Sequence, residues 1–203
     1  MSDPVLGPSL VVLGYLSGSV PFGFLAGRFV LGVDVRSVGS GNIGATNVAR
    51  AGGKWMGVAV LVLDAAKAIA PILLARALLV GPGAGVWVVA VAIAAFCGHL
   101  FPVWLGFRGG KGVATALGVF AVLSPWAALA VIATWGISWA ATRISSVGSL
   151  SGTAVTAIVA FALAGPRSPV SWAGVVLASL IALRHRENIR RLLTGEERRK
   201  MRV

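Results

Sequence analysis

Apolar runs long enough to cross a bilayer dominate this chain, and they leave few folds open to it. A membrane-spanning helix needs about 17–25 residues of apolar character. About seven such runs follow one another, over roughly 5–30, 55–80, 85–106, 113–123, 125–141, 149–165 and 169–183. The fourth is short for a full span and fits a half-span or re-entrant piece. The pattern predicts an all-α integral membrane protein of about seven transmembrane helices. Composition agrees: 57% of the 203 residues are hydrophobic and 12% are charged, against about 25% charged in a soluble domain. The 27 glycines and 7 tryptophans also suit membrane helices and their interfaces. No linker, low-complexity tract or internal repeat divides the chain, so residues 1–203 are expected to form a single polytopic membrane domain. The first run is longer than a signal-peptide core and Asp3 precedes it, which argues against a secretory leader. The lone Cys97 allows no disulfide within the chain.

The net charge of +12 is distributed unevenly. With the N-terminus outside, Arg28, Arg36, Arg50, Lys54, Arg108, Lys111, Arg143 and the tail from Arg184 onward fall on the cytoplasmic side. Only Arg76 and Arg167 fall outside. Cytoplasmic connections carry the excess of Lys and Arg, so the N-terminus is expected out and the C-terminus in. The same arrangement brings three polar, glycine-rich segments, 32–54, 106–115 and 184–203, to one face. A site is expected there. The basic excess points to membrane and anionic substrates rather than nucleic acid.

The first polar segment contains 37-SVGSGNIGATN-47, in which GSGNIG fits the dinucleotide fingerprint G-x-G-x-x-G. That fingerprint works inside a soluble βαβ unit. Here 55-WMGVAVLVLDAAKAIAPILL-74, a spanning run, follows it, so no nucleotide cofactor is implied. A glycine-rich turn opening a helix still favours an anion. Ser40, Asn42, Thr46, Asn47 and Arg50 add donors and a cation. Ordinary loop and cap chemistry uses the same residue types, and both readings stay open. In 98-GHLFPVWLGFRGGKGVAT-115, Leu105 and Gly112 break the G-x-x-x-x-G-K-[ST] pattern, so nucleotide hydrolysis is not expected. Lys111 between Gly110 and Gly112 can still meet a phosphate. A lone His99 near the end of the third run is expected to be a satisfied interfacial residue. Asp64 and Lys67, three apart on the second run, are expected to form a structural ion pair. In 184-RHRENIRRLLTGEERRKMRV-203, His185 and Asn188 share one face of a continuing helix and can reach back into the head-group layer. Otherwise this is a basic tail suited to anionic lipid.

Taken together, VGSGNIGATNVAR with the following GGK, GHLFPVWLGFRGGKGVATALG and RHRENIRRLLTGEE resemble the bacterial acyl-phosphate:glycerol-3-phosphate acyltransferase family, usually called PlsY. Order and spacing match over essentially the whole chain. The resemblance implies a seven-helix enzyme of the bacterial plasma (inner) membrane with its active site towards the cytoplasm. It also implies the reaction: acyl transfer from acyl phosphate to the 1-hydroxyl of sn-glycerol 3-phosphate, giving 1-acyl-sn-glycerol 3-phosphate (lysophosphatidate) and phosphate. Carried over residue by residue, Ser40, Gly41, Asn42, Thr46, Asn47, Arg50, Gly110, Lys111 and Gly112 would cradle phosphate. His185, Asn188, Lys111 and Arg50 would be catalytic. No metal and no cofactor are expected. The substrates are the partners, together with membrane lipid and the enzyme that forms acyl phosphate.

Acyl phosphate is already activated, so a covalent acyl-enzyme is not required. The H-x-x-x-x-D motif of other glycerolipid acyltransferases is absent, because Trp104 stands five residues after His99 and Arg190 five after His185. Positioning and charge stabilisation would then supply most of the catalysis. The alternative is a small anion or phosphate transporter, which also uses helix N-termini and glycines. Polar motifs gathered on one face, with no paired repeat, count against it.

Overall fold

The computed structural model describes residues 5–197; residues 1–4 and 198–203, which include Asp3 and the end of the third polar segment, lie outside the described residues. Among the described residues all regular secondary structure is helical. The first apolar run forms two helices, α1 (Leu6–Ser19) and α2 (Phe22–Phe29). The break follows from Pro21, which pushes Val20 into an extended conformation (φ −60°, ψ 115°). The short helix α3 (Ala45–Gly52) leads directly into α4 (Lys54–Leu78). Helix α5 (Ala84–Leu100) is followed by a 3₁₀ turn, Val103–Leu105, and then by α6 (Val113–Leu123). The chain ends with α7 (Pro125–Thr142), α8 (Ser145–Ala164), α9 (Pro169–Arg184) and the amphipathic α10 (Arg186–Leu193).

Every apolar run in the sequence is thus occupied by helix. Among the described residues, four segments are long and apolar enough to cross a membrane: Leu6–Phe29, Lys54–Leu78, Ala84–Leu105 and Ser145–Ala164. Helix α6, at 11 residues, is as short as the sequence implied. Small residues let the helices approach closely. A Cβ on Gly18 would overlap the backbone of Ala95, so α1 can lie directly on α5. The core centres on Val91, Ala92, Ala95 and Phe96 of α5, all fully buried, with Ile72 of α4 and Val119 of α6. Helix α6 packs against both α4 and α7, and the site forms above its N-terminus. Exposed Trp55, Trp126 and Trp172 sit in the first turns of α4, α7 and α9, where an indole suits the membrane–water boundary.

Candidate active site

A cavity of about 420 Å³ lies where α3, α6, α8 and the α9–α10 corner meet. Three helix starts open onto it: Gly44–Ala45–Thr46, Gly112–Val113–Ala114 and Ser145–Ser146. None of the three has a side-chain cap. Among the described residues, the backbone N–H groups of Ala45 and Thr46, of Lys111, Gly112 and Val113, and of Ser145 and Ser146 have no protein partner. The first turn of a helix leaves such N–H groups unsatisfied and carries partial positive charge. Three of them around one cavity, with Arg50 and Lys111 beside them, make a site built for anions.

Glycine-rich sequence shapes the second of these starts. Gly112 caps α6 with φ +88°, and a side chain there would strike Phe96 and Leu100. The turn before it is held from behind. Gly109 and Gly110 donate to the carbonyls of Leu100 and His99, both at 3.1 Å. Arg184 donates to the carbonyls of Gly110 (3.1 Å) and Gly109 (2.6 Å).

Lys111 begins a polar chain that crosses the cavity. Its Nζ donates to Asn188 Oδ1 at 2.6 Å, and Asn188 Nδ2 donates to Glu197 Oε1 at 2.6 Å. An ammonium only donates and a carboxylate only accepts, so the two neighbours fix the amide's orientation. Glu197 also accepts from Ser146 Oγ at 2.8 Å and from Arg191 Nε at 2.6 Å. Burial raises the Glu197 pKa, but these donors outweigh it and hold the carboxyl below its ordinary value. Burial lowers the Lys111 pKa to about 8, with Arg191, Arg50 and Arg184 adding to the effect and Glu197 opposing it.

His185 is 2% exposed, and its Nδ1 lies 2.8 Å from the Ile181 carbonyl. A carbonyl accepts, so Nδ1 carries the proton. Burial first and Lys111 second push its pKa down to about 4. The ring is therefore neutral at physiological pH. Nε2 offers a lone pair with no protein partner among the described residues.

Of the residues singled out in the sequence, Ser40, Asn42, Thr46, Asn47, Arg50, Lys111, Gly112, His185 and Asn188 all line this cavity. Gly41 and Gly110 do not line it and shape turns behind it. Asn47 faces the cavity with its amide engaged elsewhere: Nδ2 donates to the carbonyls of Val35 and Val38, and Oδ1 accepts from Ser40 N and Oγ. It staples its own loop. Sequence reasoning missed Ser145, Ser146 and Ser149, and the hub at Glu197. The cluster 145-SSVGS-149 after Arg143, opening an apolar run, is the signal that could have revealed the serines. His99, expected to be an interfacial residue, is instead 3% exposed and faces Asp64 at the floor of the cavity.

One wall of the cavity is apolar, formed by Leu61, Leu117, Val131, Ile132 and Trp135. Leu61 and Ile132 also stand on the outer surface, 40% and 54% exposed, so the cavity reaches the lipid-facing side between α4 and α7. An anion cradle joined to a lipid-facing groove suits a molecule with a phosphate at one end and a hydrocarbon chain at the other.

Residues 9–195 match the glycerol-3-phosphate acyltransferase family model. The chain belongs to the glycerol-3-phosphate acyltransferase family. A glycerol-3-phosphate acyltransferase of Anaeromyxobacter sp. (strain Fw109-5) is 71% identical, with all of both chains covered. One from Myxococcus xanthus is 51% identical over 94% of this chain and 98% of its own. Among solved structures, PlsY (YgiH), an integral membrane glycerol 3-phosphate acyltransferase, in its glycerol 3-phosphate form, superposes with a TM-score of 0.88. It is 42% identical, over 95% of this chain and 94% of that one. Its lysophosphatidic acid form gives a TM-score of 0.85 at 41% identity, with the same coverage. The family and the apolar helices together make the chain a multi-pass membrane protein.

Proposed function

We propose that this protein transfers an acyl group from acyl phosphate to the 1-hydroxyl of sn-glycerol 3-phosphate. The products are 1-acyl-sn-glycerol 3-phosphate and inorganic phosphate, at the start of phospholipid synthesis. The observation that carries this is the set of uncapped helix starts around Arg50 and Lys111, joined to an apolar groove. Both reactants bear phosphate and one bears a hydrocarbon chain. The glycerol 3-phosphate and lysophosphatidic acid forms of the similar PlsY are a substrate and a product of the same reaction.

The chemistry follows from the groups present. The acceptor oxygen attacks the acyl carbonyl carbon, and the bond from that carbon to the phosphate oxygen breaks. Arg50, Lys111 and the free N–H groups neutralise the phosphoryl oxygens of the two substrates, where charged hydrogen bonds are the strong ones. His185 Nε2 accepts a hydrogen bond from the attacking hydroxyl and aims it. With its pKa near 4, His185 is a weaker base than a phosphate, whose second pKa is about 6. The proton therefore ends on a substrate phosphate oxygen. Asn188 holds the Lys111 ammonium in place, and the acyl chain lies along Leu117, Val131 and Trp135.

In the same reading residues 1–203 form one polytopic domain in the bacterial inner membrane, with the N-terminus out and the C-terminus in. Segments 32–54, 106–115 and 184–203 then face the cytoplasm, where glycerol 3-phosphate and the enzyme that forms acyl phosphate are found. The Lys and Arg asymmetry supports this, and so does the contribution of all three segments to one cavity. The test uses purified protein in lipid nanodiscs with acyl phosphate and labelled glycerol 3-phosphate. Lysophosphatidate and phosphate should appear in equal amounts. Liposomes that take up glycerol 3-phosphate without forming ester would overturn the assignment in favour of transport.

A further inference from the structure

Asp64 on α4 and His99 on α5 stand on the floor of the cavity, and the chemistry just described uses neither. Both are more than nine-tenths buried. His99 Nδ1 lies 3.6 Å from Asp64 Oδ1, and Lys67 Nζ is 2.7 Å from the same oxygen. Lys67 also donates to the Val20 carbonyl at 2.8 Å, at the break between α1 and α2. Neither Asp64 Oδ1 nor His99 Nδ1 completes a well-formed hydrogen bond. A buried ion pair with unfilled polar positions stabilises less than apolar residues of the same volume would. Ionisable groups kept at membrane depth generally have a task.

The opposite edge of the imidazole shows what that task is. It packs directly on Gly110: a Cβ placed there would overlap His99 Nε2 and press on Cε1 and Cδ2 of the same ring. The backbone of Gly110 also donates to the His99 carbonyl. On its other side the turn is gripped by Arg184. The residue after Gly110 is Lys111, whose ammonium faces the cavity.

We propose that Asp64 and His99 are a positioning pair for Lys111. The carboxylate sets the tilt and tautomer of the imidazole, and the ring's far edge sets the height of the Gly109–Gly110 turn. Together they decide where the Lys111 ammonium meets a phosphate. This rests on the reading of Lys111 as a phosphate ligand. It makes His99 a back-stop rather than a proton acceptor, and explains why position 110 carries no side chain: there is no room beside the ring. Gly110 is not in the left-handed region, so an alanine there meets the ring and no backbone strain.

The test is a double-variant cycle in the full-length enzyme: His99→Ala, Gly110→Ala and both together. Each phosphate substrate is varied in turn, and melting is followed in parallel. A displaced reacting group loses about 10²-fold for a shift of 1 Å, and each single variant should approach that loss in kcat/KM. The loss should appear chiefly in the KM of one phosphate substrate, which a merely destabilised fold would leave unchanged. The double variant should perform like His99→Ala alone, since the new methyl no longer has a ring to strike. Asp64→Asn should raise the same KM more mildly and add nothing on top of His99→Ala. If His99→Ala does not fold, His99→Asn, which keeps a donor facing Asp64 but removes the far edge, takes its place in the cycle. Additive losses in the double variant, or unchanged KM values in the His99 variant, overturn the proposal. Lys111→Ala separates the two levels of inference. If it is active, the phosphate site itself is wrong. If it is inactive beside a fully active His99→Ala, only the positioning pair is wrong.

Discussion

Two glycine-rich segments meet at the cavity, and they are held in opposite ways. The segment before α3 holds itself. Asn47 makes four hydrogen bonds to backbone and side-chain atoms of residues 35–40, and Asn42 Oδ1 accepts from the Gly44 N–H at 2.7 Å. Beneath it Val35, Ile43, Val48 and Val60 form a small core of their own. The segment before α6 has no such staple. The end of α5 and Arg184 grip it from outside, and its N–H groups from Lys111 onward are left unpaired. The loop before α3 keeps its shape by its own bonds, whereas the turn before α6 leaves its own N–H groups free for a ligand in the proposed reading. The same composition therefore conceals two roles, and substitutions should divide along that line.

The largest effect is expected from Lys111→Ala and Arg50→Ala. Each should lower kcat/KM by about 10³-fold, the upper range for losing one preorganised charge-stabilising donor, with melting unchanged. Arg50→Lys should remain impaired, because an ammonium cannot reproduce the guanidinium fork. Steady-state kinetics on purified variants decide this, and near-normal turnover in both alanine variants would sink the phosphate role. Asn188→Ala should lose about 10²-fold, as its amide both orients Lys111 and joins it to Glu197. Activity within a few-fold of the parent would return α10 to being a basic tail.

Asn47→Ala should sharpen the comparison by failing differently. Four bonds at about 1 kcal/mol each predict a loss of roughly 3–4 kcal/mol in stability, seen as a lower melting temperature. Turnover per folded molecule should fall only a few-fold. A well-folded but inactive Asn47→Ala would break the comparison and make Asn47 a ligand. A smaller effect concerns pH. Lys111 is charged below its pKa of about 8 and loses its proton above it. In consequence kcat/KM should decline as pH rises through about 8, and Lys111→Arg should move that limb upward even if its overall rate is low. The least effect is expected from Arg36→Ala. Its pair with Asp34 at 2.7 Å is exposed, so activity should stay within two-fold of the parent.

Much of this was legible in the sequence. Apolar runs are local, and each marked a helix, including the short α6, except that the first is broken at Pro21 into α1 and α2. Charge asymmetry predicts that the polar segments share a site, and Ser40, Lys111 and Asn188, one from each, do line one cavity. Contacts between distant residues were not legible. Ser146 reaches Glu197 and Lys111 reaches Asn188 only because α6, α8 and α10 converge, and no spacing rule announces that. Asp64 and Lys67 share a helix face, so their pairing was readable. His99 joins them from another helix, so in the sequence it stands as an isolated residue. Asn47 looked like a donor for substrate because its type suits one; only its bonds show that it is occupied.

The lateral opening between Leu61 and Ile132 bears on how the enzyme's concentrations should be counted. One reactant approaches through water and is measured in moles per litre. In the proposed reaction the other would enter from the bilayer, past Leu61 and Ile132, where dilution depends on how much lipid surrounds it. Adding empty lipid at a fixed total of acyl phosphate should therefore slow the reaction, while adding buffer should act only through glycerol 3-phosphate. An apparent KM for the acyl donor has meaning as a mole fraction in the membrane, and values obtained at different lipid loads will agree only in that unit.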